Sequence, residues 1–163
     1  MIRKHIIGTL LPVAAVVGAF AVAASTAGAM TISLGTPNLI GRVAITEPVT
    51  VTCTPFDQSL TLDSENISLQ VQQASGRSIA HGSGGSFGFL PTLLFPCDGS
   101  ETTVPITVSA DPTGPPFHGG PAVFTATAGA GAATPCFPGS TTCFTNPSAS
   151  QTASSGATAL NLH

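Results

Sequence analysis

Three segments of this chain repeat with a period of two. Val49, Val51 and Cys53 alternate with Thr50, Thr52 and Thr54, and Ile67, Leu69 and Val71 alternate with Ser68, Gln70 and Gln72. Val104, Ile106 and Val108 alternate in the same way with Thr103, Thr107 and Ser109. Successive side chains of an extended backbone point to opposite faces, so each segment carries one apolar face and one hydroxyl or amide face, the pattern of a half-buried strand. Residues 43–46, 123–128 and 158–162 add further strands, and Pro105 marks its strand as an edge or an interrupted one. The intervening stretches 55–64, 82–88, 111–121 and 134–156 are loaded with Gly, Pro, Ser or Asp and read as loops. No run of ten residues shows a 3.6-residue period with caps, so helical architectures are excluded and an antiparallel sandwich of about seven short strands is expected.

The first 29 of the 163 residues differ in kind. Arg3, Lys4 and His5 precede an uncharged apolar run over 6–24, and Ala27-Gly28-Ala29 supplies a small-x-small cleavage pattern. This is the layout of a secretory signal peptide cleaved before Met30, leaving 30–163 as one domain. The alternative of an uncleaved anchor stays open, because the apolar run is long enough to span a bilayer. Export takes Arg3 and Lys4 away, so Arg42 and Arg77 then face all seven acids of the chain, a formal charge of about −5. So acidic a domain lacks the cationic surface that displaces counterions from nucleic acid, and nucleic acid is excluded as a partner.

Four cysteines in an exported chain read as two disulfides. The pairing expected is Cys53 with Cys97 and Cys136 with Cys143, because the last two lie seven residues apart inside a loop rich in Pro, Gly, Ser and Thr. Loop closure assigns about 4 kcal/mol to the long bridge and about 2.5 to the short one. Phe56, Phe87, Phe89, Phe95, Phe117, Phe124, Phe137 and Phe144 are expected to fill the core in a chain without Trp or Tyr. Phe137 and Phe144 flank the short bridge and are the candidate interaction surface should they be exposed. The stretch 134–156 is expected to be a disulfide-tied loop followed by a flexible connection.

Few residues carry a chemical signal. Gly84-Gly-Ser86-Phe-Gly88 matches the pattern of a nucleophile elbow, with Asp98 or Asp111 and then His118 downstream. No helix follows it to raise the serine, so a glycine-rich turn is the reading preferred and a serine hydrolase using Ser86 is only an alternative. Asp57, Asp63, Glu65 and Asn66 cluster as oxygen ligands for Ca²⁺ without matching a calcium loop, and His81 with His118 is the one conceivable metal or pH-sensing pair. Without Trp and Tyr, sugar binding by stacking is disfavoured. No catalytic residue, metal or cofactor is assigned.

The order of these features resembles a set of small secreted actinobacterial proteins with an immunoglobulin-like β-sandwich. The resemblance runs through Val49-Thr-Val-Thr-Cys53, Ile67-Ser-Leu-Gln-Val-Gln-Gln73, Arg77-Ser-Ile-Ala-His-Gly-Ser-Gly84, Cys97-Asp-Gly99, Phe117-His-Gly-Gly-Pro-Ala-Val-Phe-Thr-Ala126 and the final cysteine pair. It implies an immunoglobulin-like sandwich of unassigned activity and supplies no catalytic residues. A weaker likeness, to the apoproteins of enediyne antibiotics, implies a carrier with an apolar cleft, although the cysteine spacing differs. Together these readings lead to an expectation of a secreted, non-enzymatic module that meets a protein or cell-envelope partner, with no membrane contact after signal cleavage.

Overall fold

A computed structural model of the chain describes residues 29–134 and 149–163. It is all-β, with eight antiparallel strands and no helix among the described residues. They are β1 (Met30–Leu34), β2 (Asn38–Ile40), β3 (Ala44–Cys53), β4 (Thr61–Ser75), β5 (Ser78–Phe89), β6 (Glu101–Ala110), β7 (Gly120–Ala133) and β8 (Ala149–Leu162). One sheet runs in the order β1-β3-β6-β5-β4-β7-β8, with β2 beside β3. Its outer strands curl back toward each other, and Leu39 N–H after β1 donates to the His163 carbonyl beyond β8 at 2.9 Å, so the sheet is nearly a barrel.

The strands are joined unequally. Eleven residue pairs join β4 to β7 and twelve join β4 to β5, whereas β5 pairs with β6 at just two positions, Gly82 with Ala110 and Ser83 with Ser109, followed by one bond from the Asp111 N–H to the His81 carbonyl at 2.8 Å. Glycines make that narrow seam. A Cβ on Gly84 would lie 2.0 Å from the Thr107 carbonyl oxygen, and one on Gly82 would lie 2.6 Å from Ser109 O and from the Phe117 ring. No larger residue fits where the two backbones cross so closely. Pro48 stands opposite Pro105 across β3 and β6. Neither can donate an N–H to the ladder, and the Pro48 carbonyl turns the other way to accept from Gly35 N–H at 2.9 Å.

Inward positions of every strand build one core. Ile45, Val49, Val51, Ile106 and Val108 come from one side of the seam, and Ile67, Leu69, Val71 and Phe124 from the other. The inner face of β7 is largely Ala122, Ala126, Ala128, Ala130 and Ala132, small enough to let the larger side chains of β3 and β4 fill the interior. Phe117 closes the upper end, near the β4–β5 turn, and Phe95 the lower end. The two-residue turn Gly76-Arg77 joins β4 to β5, with Gly76 at φ 62°, the left-handed value that a primed hairpin turn requires at its first central position.

The Cys53–Cys97 disulfide is present at the lower end, with its Cα atoms 4.5 Å apart. Residues 1–28 of the expected signal segment over 1–29, together with Cys136, Cys143, Phe137 and Phe144, lie outside the described residues. Four expectations are corrected. There are eight strands, because β1 and β2 were too short and irregular to be read from the chain. The glycine-rich stretch 82–88 is strand β5, its glycines admitting close backbones rather than making a turn. The polar run beyond residue 148 is the first half of β8 and not a flexible connection. Phe95, Phe117 and Phe124 are buried and Phe56 packs partly against the core, but Phe87 and Phe89 stand outside it, 72% and 63% exposed.

Candidate functional site

Strand geometry scatters the residues that the sequence had grouped. Ser86 pairs with Ile67 on β4, whereas the His118 ring sits against the Ala74 carbonyl at 3.1 Å. Seven strand positions separate Ile67 from Ala74, roughly 23 Å along β4, so Ser86 and His118 do not meet. Asp98 and Asp111 are fully exposed and close local turns. Asp98 accepts from the Ser100 hydroxyl and amide, Asp111 from the Thr113 amide and hydroxyl, and these bonds hold both carboxyls below the usual range. Asp57 is lowered in the same way by the Ser59 amide and hydroxyl. Glu65 points into the barrel while its neighbours Ser64 and Asn66 face out, so the oxygen cluster over 57–66 does not assemble around an ion. No group of three His, Cys, Asp or Glu side chains converges to hold a metal among the described residues.

Among the described residues four polar side chains are buried, Glu47, Glu65, Gln73 and Gln151, of which sequence reading singled out only Glu65, as an ion ligand. Three of them hold irregular segments against the barrel ends. Gln73 donates to the His118 carbonyl at 2.7 Å and accepts from the His118 amide at 2.9 Å, the same pair of bonds a neighbouring strand would make. Gln151 donates to the Thr54 carbonyl at 2.8 Å and accepts from the Thr54 hydroxyl at 3.2 Å, beside the disulfide sulfur of Cys53. One oxygen of Glu65 accepts the backbone amides of Leu94 and Phe95, which seats the Phe95 plug. Burial raises the Glu65 carboxyl above the usual range, against the lowering effect of those amides.

Glu47 has no such partner. It sits at an inward position of β3 with 0% exposure, and neither carboxyl oxygen has a hydrogen-bond partner. The Gly35 amide comes near and lowers its pKa slightly, but that N–H is given to Pro48 O. Desolvation dominates and pushes the carboxyl up to about 7.

The surface carries the remaining features. A groove of about 450 Å³ follows the β5–β6 seam with a mixed lining, Gln70, Gln72, His81 and Asp111 beside Val71 and Pro112. A second groove, of about 340 Å³, lies at the lower end beside Phe56, Leu60, Leu62, Leu93 and Pro96. On the outer face of β5, Phe87 and Phe89 occupy consecutive outward positions, and Leu90, 54% exposed, extends the patch. An exposed aromatic pair on a regular strand leaves apolar area in solvent without contributing to the core. No family model, curated protein or solved structure matches this chain.

Proposed function

We propose that this protein is an exported, non-catalytic interaction module whose contact surface is the outer face of β5 around Phe87, Phe89 and Leu90. The observation that carries the reading is the exposure of Phe87 and Phe89 in a chain that buries Phe95, Phe117 and Phe124. A chain with only 7% charged residues, rich in Ser and Thr, is suited to a cell envelope or an assembly. In this reading residues 1–29 are the signal peptide and 30–163 the secreted domain. The domain is an immunoglobulin-like sandwich whose two layers part at the β5–β6 seam, with Cys136–Cys143 as its second bridge and a source among the secreted actinobacterial proteins it resembles.

The test is direct. Chain secreted by an exporting host begins at Met30 by N-terminal sequencing and binds isolated cell envelopes, and the Phe87→Ser/Phe89→Ser double variant loses that binding while keeping the wild-type melting temperature. Retention of binding by the folded double variant overturns the choice of surface. A second reading, a small-ligand carrier, rests on the groove of about 340 Å³ beside Phe56 and Leu93. It requires a small apolar probe to bind there and Leu93→Ser to abolish that binding.

A further inference from the structure

The register of β5, β4, β7 and β8 sets up two parallel rows across the outer face. One row reads Phe87, Asn66, Gly129, Thr152, and the next reads Phe89, Ser64, Gly131, Ser150. Each row places an aromatic ring first, then a polar side chain, a glycine and a hydroxyl. The rows lie two residues apart, roughly 7 Å along the strands. The glycines lower the floor. A Cβ on Gly129 would press on the Asn66 amide at 3.0 Å, and one on Gly131 would meet Ser64 Oγ at 2.8 Å. The result at the first row is a shallow depression of about 420 Å³ lined by Asn66, Thr127, Gly129, Thr152 and Ser154. Its end is fixed by a hydroxyl pair, Ser68 with Thr127 at 2.7 Å.

We propose that this face binds a neutral polysaccharide, laid along the first row with one sugar ring against Phe87 and the hydroxyls of the following units over Asn66 and, three strands and about 14 Å from Phe87, over Thr152. The proposal rests on the interaction-module reading and names the partner of the same face. Three features select the chemistry. A sugar ring has an apolar C–H face and a rim of hydroxyls, so it is matched by an exposed ring beside groups that both donate and accept. Asn66 offers both, and its side chain has no hydrogen-bond partner among the described residues. Charge decides against acidic polymers. The acidic side chain of Asp63 lies next to the second row and accepts from Ser64 Oγ at 2.9 Å, and neither Arg42 nor Arg77 belongs to either row. The proposal runs against the expectation, drawn from the missing Trp and Tyr, that stacking on sugars is disfavoured.

The experiment is co-sedimentation of the secreted protein with four insoluble neutral polysaccharides, cellulose, chitin, an α-glucan and a β-1,3-glucan, with soluble polygalacturonate as an acidic competitor. Sedimentation with at least one neutral polymer is expected, unchanged by 1 M salt and by polygalacturonate. Affinity is expected to fall about tenfold or more in Asn66→Ala, Thr152→Val and Phe87→Leu, all at exposed positions. Phe87→Leu keeps apolar area but removes the ring, so full binding by that variant overturns stacking and with it the proposal. Sedimentation with none of the polymers also overturns it. If the envelope binding lost by the Phe87/Phe89 double variant persists with Asn66→Ala and Thr152→Val, the module reading stands and the saccharide falls. If the double variant leaves envelope binding intact, both fall.

Discussion

Two buried acids, Glu65 at the lower end of the barrel and Glu47 in the β3 wall, solve the same problem in opposite ways. Glu65 receives two backbone amides from the segment that carries Phe95, so its charge is partly answered by donors. Glu47 receives none, so its own proton answers for it and the carboxyl titrates at about 7. The lower end is thus a stapled region, built from Cys53–Cys97, Glu65 and Gln151, while the wall beside Gly35 and Pro48 holds an acid that tolerates burial only while neutral. A buried carboxyl is a bond where donors converge and a liability where they do not.

The largest way to break the contrast is to remove the lower staple. Cys53→Ala with Cys97→Ala opens a link spanning 44 residues and is expected to cost about 4 kcal/mol in denaturant unfolding. A loss below about 1 kcal/mol would mean that the protein side chains alone hold that end. Glu65→Ala comes next. It strands the Leu94 and Phe95 amides and is expected to cost about 2 to 3 kcal/mol, with Glu65→Gln less harmful because its carbonyl still accepts.

The pH dependence separates the two acids. A folded pKa raised above the unfolded value means that the native state binds the extra proton, so stability is complete below the unfolded value near 4.5 and is lost as pH rises. For Glu47 the loss runs from about pH 4.5 through 7, and Glu65 contributes in the same direction. Asp57, Asp98 and Asp111 are depressed, so their contribution is lost below about pH 3.8 as they protonate. Melting temperature is expected to peak between these limits and to decline toward pH 8. Glu47→Gln should flatten that decline, and an unchanged slope in the variant would show that Glu47 is not its source. The smallest effect belongs to the outer face, where Phe87→Ser/Phe89→Ser should alter stability by no more than about 0.5 kcal/mol in the same melts.

Strands β3, β4 and β6 were legible because a single buried face imposes period two, and the Cys53–Cys97 bridge followed from the close spacing of the other two cysteines, which left Cys53 and Cys97 to each other. What escaped had physical reasons. In β5 the glycines at 82, 84, 85 and 88 conceal the strand, since a residue chosen for having no side chain leaves no pattern. In the first half of β8 Ser, Thr and Ala alternate with too little hydrophobic contrast to be read. Glu47 and Glu65 broke the period where the sequence would place an apolar residue, and only the loops around them distinguish the stapled acid from the neutral one. Phe87 and Phe89 carried the apolar signal of a core in positions whose parity, once β5 is a strand, points outward.

The two residue pairs that join β5 to β6 also assign the molecule a place to breathe. Amides of β4 and β7, held over many consecutive pairs, should exchange with solvent only on global unfolding, while the Asp111 amide, which donates to the His81 carbonyl across the seam, opens with it. Hydrogen exchange would then see two slow bodies joined by one fast line, a clamshell whose hinge is made of the residues with the least to hold it shut.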